Sequence, residues 1–282
     1  MVICKTLEKS RFIYSLKKTF QHIVLIISLC FLLVANVAVS QFSATTASYT
    51  GNPEQFVKDV LIGGGVSISN VEFKGYSEQF AIVKNAQSVG MTEGLLLSTG
   101  RAYEMANSPD FLASSILRGL PGRQGQDDDL FQLSKDLTDK LNAKNPFNIE
   151  YLDSTMDAAI LEFDFVATSE DLSFSFVFMS EEYPEWINTR YTDIMGVFLS
   201  GPGYNGKFSN NSENIAIIPG TDYPIMVSSV HGGKQNFPPE NEAFYIGNTG
   251  TEVAVQGYTT VIEISAKVQP CQSYHIKFAI AD

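Results

Sequence analysis

FSFVFMSEEYPEWINTRYTDIMGVFLSGPG, Phe174 to Gly203, carries the pattern that decides the fold. Phe174, Phe176 and Phe178 fall on one side of an extended chain, because successive side chains of a strand point to opposite faces. Ile194 to Leu199 is apolar on both faces, as a strand inside a sheet is. Gly201-Pro202-Gly203 then forces a turn. Between the two strands lies a loop, Ser180 to Asp193, dense in carboxylates and aromatic rings.

The same period of two runs outward from this stretch. Leu161, Phe163 and Phe165 alternate with Glu162 and Asp164. Ile262, Ile264, Ala266 and Val268 oppose Glu263, Ser265 and Lys267. Tyr274, Ile276, Phe278 and Ile280 oppose His275 and Lys277. Shorter apolar runs at Ile215 to Ile218, Ile225 to Val230 and Thr251 to Val255 are bounded by Gly, Pro or Asn and read as further strands. Upstream, GLLLSTG at 94–100 reads as a buried strand closed by a turn. Val66 and Ile68, then Val71 and Phe73, suggest a strand with a kink or bulge, and residues 80–90 follow neither period. Many short alternating strands with regular turn signals predict a mainly β fold, an antiparallel β-sandwich or jelly roll.

Two helices interrupt the strands. Asn52 caps EQFVKDVLI, Pro53 fits the first turn, and Gly63 to Gly65 ends it. Near 128–141, Leu130, Leu133, Leu137 and Leu141 recur at helical spacing behind Asp127-Asp128-Asp129, and acids favour a helix start. Ser108-Pro109-Asp110 and Leu120-Pro121-Gly122 signal turns. With no linker and no repeat, residues 50–282 read as a single domain.

The N-terminus is different in kind. Lys5, Lys9, Arg11, Lys17 and Lys18 precede an apolar run from Ile23 to Val39, and small residues follow. That pattern describes a secretory signal peptide over residues 1–40, cut after Ser40. The alternative is an uncleaved membrane anchor, since the run is long enough to span a bilayer. Either way the body is exported to the extracellular space or the outer cell surface, and the leader is its only membrane contact. The leader takes five of the 19 basic groups and one of the 31 acids, so the remainder carries 14 against 30, a net of −16. Such a surface repels nucleic-acid phosphate, which excludes that class of partner. Only Cys271 of the three cysteines falls outside the leader, so no intrachain disulfide or cysteine zinc site forms in the body.

Catalytic apparatus is missing from the sequence. No Gly-x-Ser-x-Gly elbow occurs, and the body holds only His231 and His275 for a triad. His275 reads as a solvent-facing strand position and His231-Gly232-Gly233 as a turn. No His-Glu-x-x-His or phosphate loop is present. The residual enzymatic reading is a glycosidase using Glu181, Glu182 or Glu185. A better use of the acids is calcium, which takes six to eight oxygens from carboxylates, amides and carbonyls. Glu181, Glu182, Glu185, Asn188 and Asp193 offer such oxygens within one loop, and Asp127 and Asp129 add more if folding brings them near. Tyr183, Trp186 and Tyr191, with Asn188, are candidate contacts for a glycan or a protein. Trp186 is the single tryptophan, and Pro184 restricts Tyr183 to extended geometry, which stiffens the loop.

Together GLLLSTG at 94–100, DDDL at 127–130, LEFDFVATSEDLSFSFVFMSEEYPEW at 161–186, TDIMGVFLSGPG at 192–203, NIAIIPGT at 214–221 and YHIKFAIAD at 274–282 resemble the choice-of-anchor L domain. The order matches, and the resemblance covers nearly all of the body. It implies an exported bacterial surface module, typical of Bacteroidetes and held to the cell envelope by differing means. Related proteins carry adhesion-type repeats or a sorting domain for type IX secretion, and some are gliding-associated. No catalytic residue carries over. In similar sequences the AIAD strand runs on through an acidic turn into a further strand, so the expectation is a domain truncated at Asp282. The reading is a non-catalytic binding or adhesion module, stabilised by calcium, for an unknown surface glycan or protein. Its rivals are a carbohydrate-active enzyme and a structural envelope domain with no ligand.

Overall fold

Strands and helices follow in the order β1 (Ser43–Thr45), α1 (Pro53–Phe56), β2 (Ser67–Lys74), β3 (Phe80–Lys84), β4 (Glu93–Leu97), α2 (Asp128–Lys144), β5 (Ala159–Val166), β6 (Asp171–Phe176), β7 (Met179–Ser180), β8 (Ile194–Ser200), β9 (Glu213–Asn214), β10 (Tyr245–Gly247), β11 (Gly257–Thr259), β12 (Ile262–Lys267) and β13 (Ser273–Ala281). They come from a computed structural model that describes residues 42–45, 52–62, 66–106, 126–144, 149–248 and 253–282. The expected leader, the glycine stop at 63–65 and the turns at 108–110 and 120–122 lie outside those residues.

The chain is mainly β, and every strand pair is antiparallel. A five-stranded sheet in the order β2-β5-β13-β8-β9 forms its middle. Register explains why it is there. Phe278 sits opposite Leu161 on one side and Val197 on the other, and Ile276 sits between Phe163 and Leu199. Each inward rung is therefore apolar across three strands, and all of these residues except Phe278 are fully buried in the main core. The kink expected after Val66 is a register shift in β2 between Ser69 and Glu72.

Against the inner face lies a second layer: β6 paired with β12, β1-β3-β4, and β10-β11-β7. Phe176, Phe174 and Leu172 of β6 face Ile262, Ile264 and Ala266 of β12 across the pair and close over the main core. Helix α2 covers the opposite face of the large sheet. Leu130, Leu133, Leu137 and Leu141 pack on Ile160, Phe198, Ala279 and Ala281. Each buried leucine contributes about 1.5–3 kcal/mol over its exposed state. Gly196 permits the close approach, since a Cβ there would lie 2.7 Å from the Phe198 ring and 3.2 Å from Leu130.

Capping follows the sequence. Asn52 Oδ1 accepts from the Gln55 N–H at 3.1 Å, with Pro53 in the first turn of α1, and the helix continues as a π-helical turn through Val57–Ile62. Asp127 Oδ1 accepts from the Leu130 N–H at 2.9 Å at the head of α2. Two expected strands do not form. Ala216, Ile218 and Ile225 to Val230 are buried and Ile215 and Ile217 half-buried, but the two runs make only isolated bridges, Ile217 to Pro224 and Ile194 to Met226. The Ser229 hydroxyl donates toward the Pro224 and Met226 carbonyls and accepts from the Met226 N–H, replacing a ladder with a local turn. Val253 to Val255 is likewise irregular, its carbonyls held by the Asn248 side chain.

Candidate functional site

The loop Ser180 to Asp193 leaves β7 and returns into β8. Ser180 closes its base: the hydroxyl donates to Asp193 Oδ2 at 2.6 Å and accepts from the Glu182 N–H at 2.9 Å. Within the loop, the Trp186 N–H donates to the Glu182 carbonyl and the Thr189 N–H to the Trp186 carbonyl. The Thr189 hydroxyl accepts from the Tyr191 N–H. Outside it, Asn188 N–H donates to Ser228 Oγ at 3.0 Å, and Arg190 reaches Glu150 and Asp153. The Tyr183–Pro184 peptide is cis, and Asn188 takes a left-handed φ of 62°.

These contacts divide the expected ligand residues into two pairs. Tyr183 is fully buried, its ring 4.9 Å from that of Tyr245 and under Gly257, where a Cβ would come within 2.8 Å of it. Asn188 is buried too. Both are foundations of the loop, so the expectation that they touch a ligand is corrected. Trp186 and Tyr191 are the reverse, with 46% and 60% of their surface exposed. Their rings meet edge to face, 5.3 Å apart at 79°.

The six carboxylates expected to share a cation are not brought together. Asp127 and Asp129 lie on the helix-covered face of the large sheet, where Lys277 Nζ binds Asp127 Oδ2 at 2.6 Å and Asp129 Oδ2 at 2.9 Å. Asp129 also accepts from the Ser209 N–H and hydroxyl. Burial alone would raise the Asp129 carboxyl, but the Lys277 and Ser209 hydrogen bonds outweigh it and hold it below its ordinary value. Asp193 flanks Ile194, which faces the helix, and so points to the other side of the sheet. Glu181 and Glu182 lie beside it along a cleft, while Glu185 is exposed. With its amide oriented to donate, Gln256 reaches Glu185 Oε2 at 2.8 Å. Among the described residues, no three His, Cys, Asp or Glu side chains form a group that could hold a metal ion.

Asp193 instead finds a partner the loop does not contain. Ala281 pairs with Ile194, so the next rung sets Asp282 beside Asp193. Burial, then the Asp282 charge, pushes Asp193 well above the ordinary carboxylate range, against the Ser180 hydrogen bond. Burial likewise raises Asp282 to about 6, opposed by hydrogen bonds with Thr99 and Asp193 and assisted by the charge of Asp157. Two carboxyls this close do not both ionise readily at neutral pH. His231, the other titratable group of interest, is buried, and burial lowers it to about 4. Its Nδ1 accepts from the Gly233 N–H, which fits a turn rather than a catalytic base.

A family model described as the choice-of-anchor L domain matches residues 43–282. No curated protein matches the chain, and no solved structure does. No helix among the described residues is long and apolar enough to cross a membrane.

Proposed function

Because the chain belongs to the choice-of-anchor L domain family, a family of cell-surface, non-enzymatic modules, we propose that it is a binding module that meets a surface glycan through the outer face of the loop Ser180 to Asp193. One observation carries this reading: Trp186 and Tyr191 stand exposed, edge to face, on a loop whose base is locked by Tyr183, Asn188 and Ser180. A sugar ring presents an apolar face that stacks on aromatic carbons, and its hydroxyls need acceptors. Glu150, Asp153 and Glu185 supply exposed acceptors on and around the loop. A rigid contact face loses little entropy on binding, which favours affinity from few contacts.

Export to the outer surface and a role in adhesion are part of this proposal; the leader pattern in the sequence supports export, and the family supports a place at the cell surface. The calcium expectation is not carried into this proposal, because its six carboxylates are spread over both faces of a sheet. The test is a glycan array probed with the full chain. Retention of a defined glycan class, lost in Trp186→Ala and in Tyr191→Ala, supports the reading. Retention of no glycan, or retention unchanged by both substitutions, overturns it.

A further inference from the structure

Arg190 is the one basic residue in the loop Ser180 to Asp193, against four acids. It precedes Tyr191 in the chain, so its charge borders the exposed aromatic pair. That charge is already engaged. Nε lies 3.5 Å from Glu150 Oε2 and Nη1 lies 3.3 Å from Asp153 Oδ2. The Arg190 backbone N–H donates to the same Glu150 oxygen at 3.2 Å. The charges of Asp153 and Glu150 raise the guanidinium above its ordinary value. On the Trp186 side, Lys234 Nζ donates to the Glu185 carbonyl, and the Glu185 carboxylate itself is exposed. The rings therefore stand between cations that are in use and acids that face solvent.

Such a border treats three kinds of sugar differently. An acidic sugar, a uronate or a sulfate ester, needs a cation. Exposed ion pairs are individually weak, so Arg190 could turn toward it. Turning would leave Glu150 and Asp153 both facing the incoming anion, and like charges brought together at an interface reject the wrong partner. A basic sugar meets Arg190 and Lys234 in its way. An uncharged sugar meets neither obstacle. Its hydroxyls donate, and an ionised carboxylate has about four acceptor sites, enough to hold Arg190 and still accept from a hydroxyl.

We propose that this face selects uncharged sugars, and that Glu150 and Asp153 determine that specificity by holding Arg190 between them. The inference rests on the glycan reading above and names the class of glycan the site takes. The two acids are positioning residues for Arg190 as well as acceptors, and their negative charge is what turns acidic glycans away. The body's net charge of −16 acts in the same direction at longer range.

The experiment measures binding of the full chain to immobilised polysaccharides by interferometry. One panel is uncharged: mannan, xylan, laminarin, dextran and galactan. The other is charged: polygalacturonate, alginate, hyaluronate and chitosan. Wild type is expected to bind within the uncharged panel alone, to lose that binding in Trp186→Ala, and to change less than about twofold between about 0.05 and 0.5 M salt, because no ion pair forms. The double variant Glu150→Gln with Asp153→Asn keeps an oxygen for each Arg190 hydrogen bond and removes both negative charges. It is expected to gain at least about tenfold on one or more of the acidic polymers. The gain falls as salt rises and disappears when Arg190→Gln is added. No gain on any acidic polymer, or a gain that survives Arg190→Gln, overturns the proposal. So does wild-type binding of a charged polymer that is lost in Trp186→Ala, although the glycan reading then stands. Binding to neither panel overturns the glycan reading and this inference with it.

Discussion

Replacing Lys277 by methionine removes the one cation that, among the described residues, Asp127 and Asp129 share. The ammonium lies 2.6 and 2.9 Å from their carboxylates, and the three side chains are only 13%, 8% and 7% exposed. Methionine keeps most of the side-chain volume and the packing over Phe198, whose ring centroid is 5.1 Å from Nζ. What changes is charge: two carboxylates stay buried without a counter-ion among the described residues. Removing one partner from a buried ion pair costs about 3–5 kcal/mol. In a chain of this size each kcal/mol moves the melting temperature by about 2–4 °C, so the expected fall is roughly 6–20 °C. Urea unfolding followed by circular dichroism gives the free energy directly. The triple variant with Asp127→Asn and Asp129→Asn added recovers most of the loss, since no buried charge then remains and an asparagine still caps α2. The folded Asp129 carboxyl lies below its ordinary value of 3.8. Its contribution is therefore present above that pH and is lost as pH falls through the folded value, so wild type and Lys277→Met converge in strong acid. A loss under about 1 kcal/mol at neutral pH refutes the reasoning.

Other consequences are equally direct. Tyr183 is fully buried, and its hydroxyl has no hydrogen-bond partner among the described residues; Tyr183→Phe stabilises by about 1 kcal/mol in urea unfolding, and a loss of that size instead points to a bound partner for the hydroxyl. Asp193 and Asp282 are raised above the ordinary 3.8, Asp282 to about 6, so ionising them opposes folding and stability declines as pH rises through that interval. Asp193→Asn flattens the decline and raises the melting temperature at pH 7 by about 2–4 °C; an unchanged pH profile contradicts it. Excess calcium and excess chelator give wild-type melting temperatures within about 1 °C of each other, because the six carboxylates do not converge; a larger shift revives a calcium site. Trp186→Ala changes stability by less than about 0.5 kcal/mol, since the side chain stands on the surface.

Alternation made the strands legible before any coordinates. Phe163, Ile264 and Ile276 face the core as their period requires, and Leu130 to Leu141 form the apolar stripe of α2 behind a capping Asp127. Pairing was not legible, and pairing decides the site. Asp282 meets Asp193 only because Ala281 registers against Ile194, which nothing near either residue announces. Which strands lie beside β4 and β6 was hidden for the same kind of reason: a strand is readable from its own residues, its neighbours are not. The loop's inside and outside were also hidden. Tyr183 and Trp186 look alike in SEEYPEW, but Gly257, distant in sequence, makes room for the tyrosine alone. Ile225 to Val230 failed as a strand because Ser229 satisfies the backbone locally, so an apolar run was buried without a ladder.

The central claim is that an exposed aromatic pair on a locked loop makes this family member a glycan-binding surface module. Isothermal titration of the full chain with the strongest glycan from the array, in wild type and in Trp186→Ala, tests it most directly. The account predicts saturable binding in wild type and a loss of at least about tenfold in the variant, with melting temperature unchanged. Equal affinity in both proteins, or a loss that merely tracks unfolding, contradicts it.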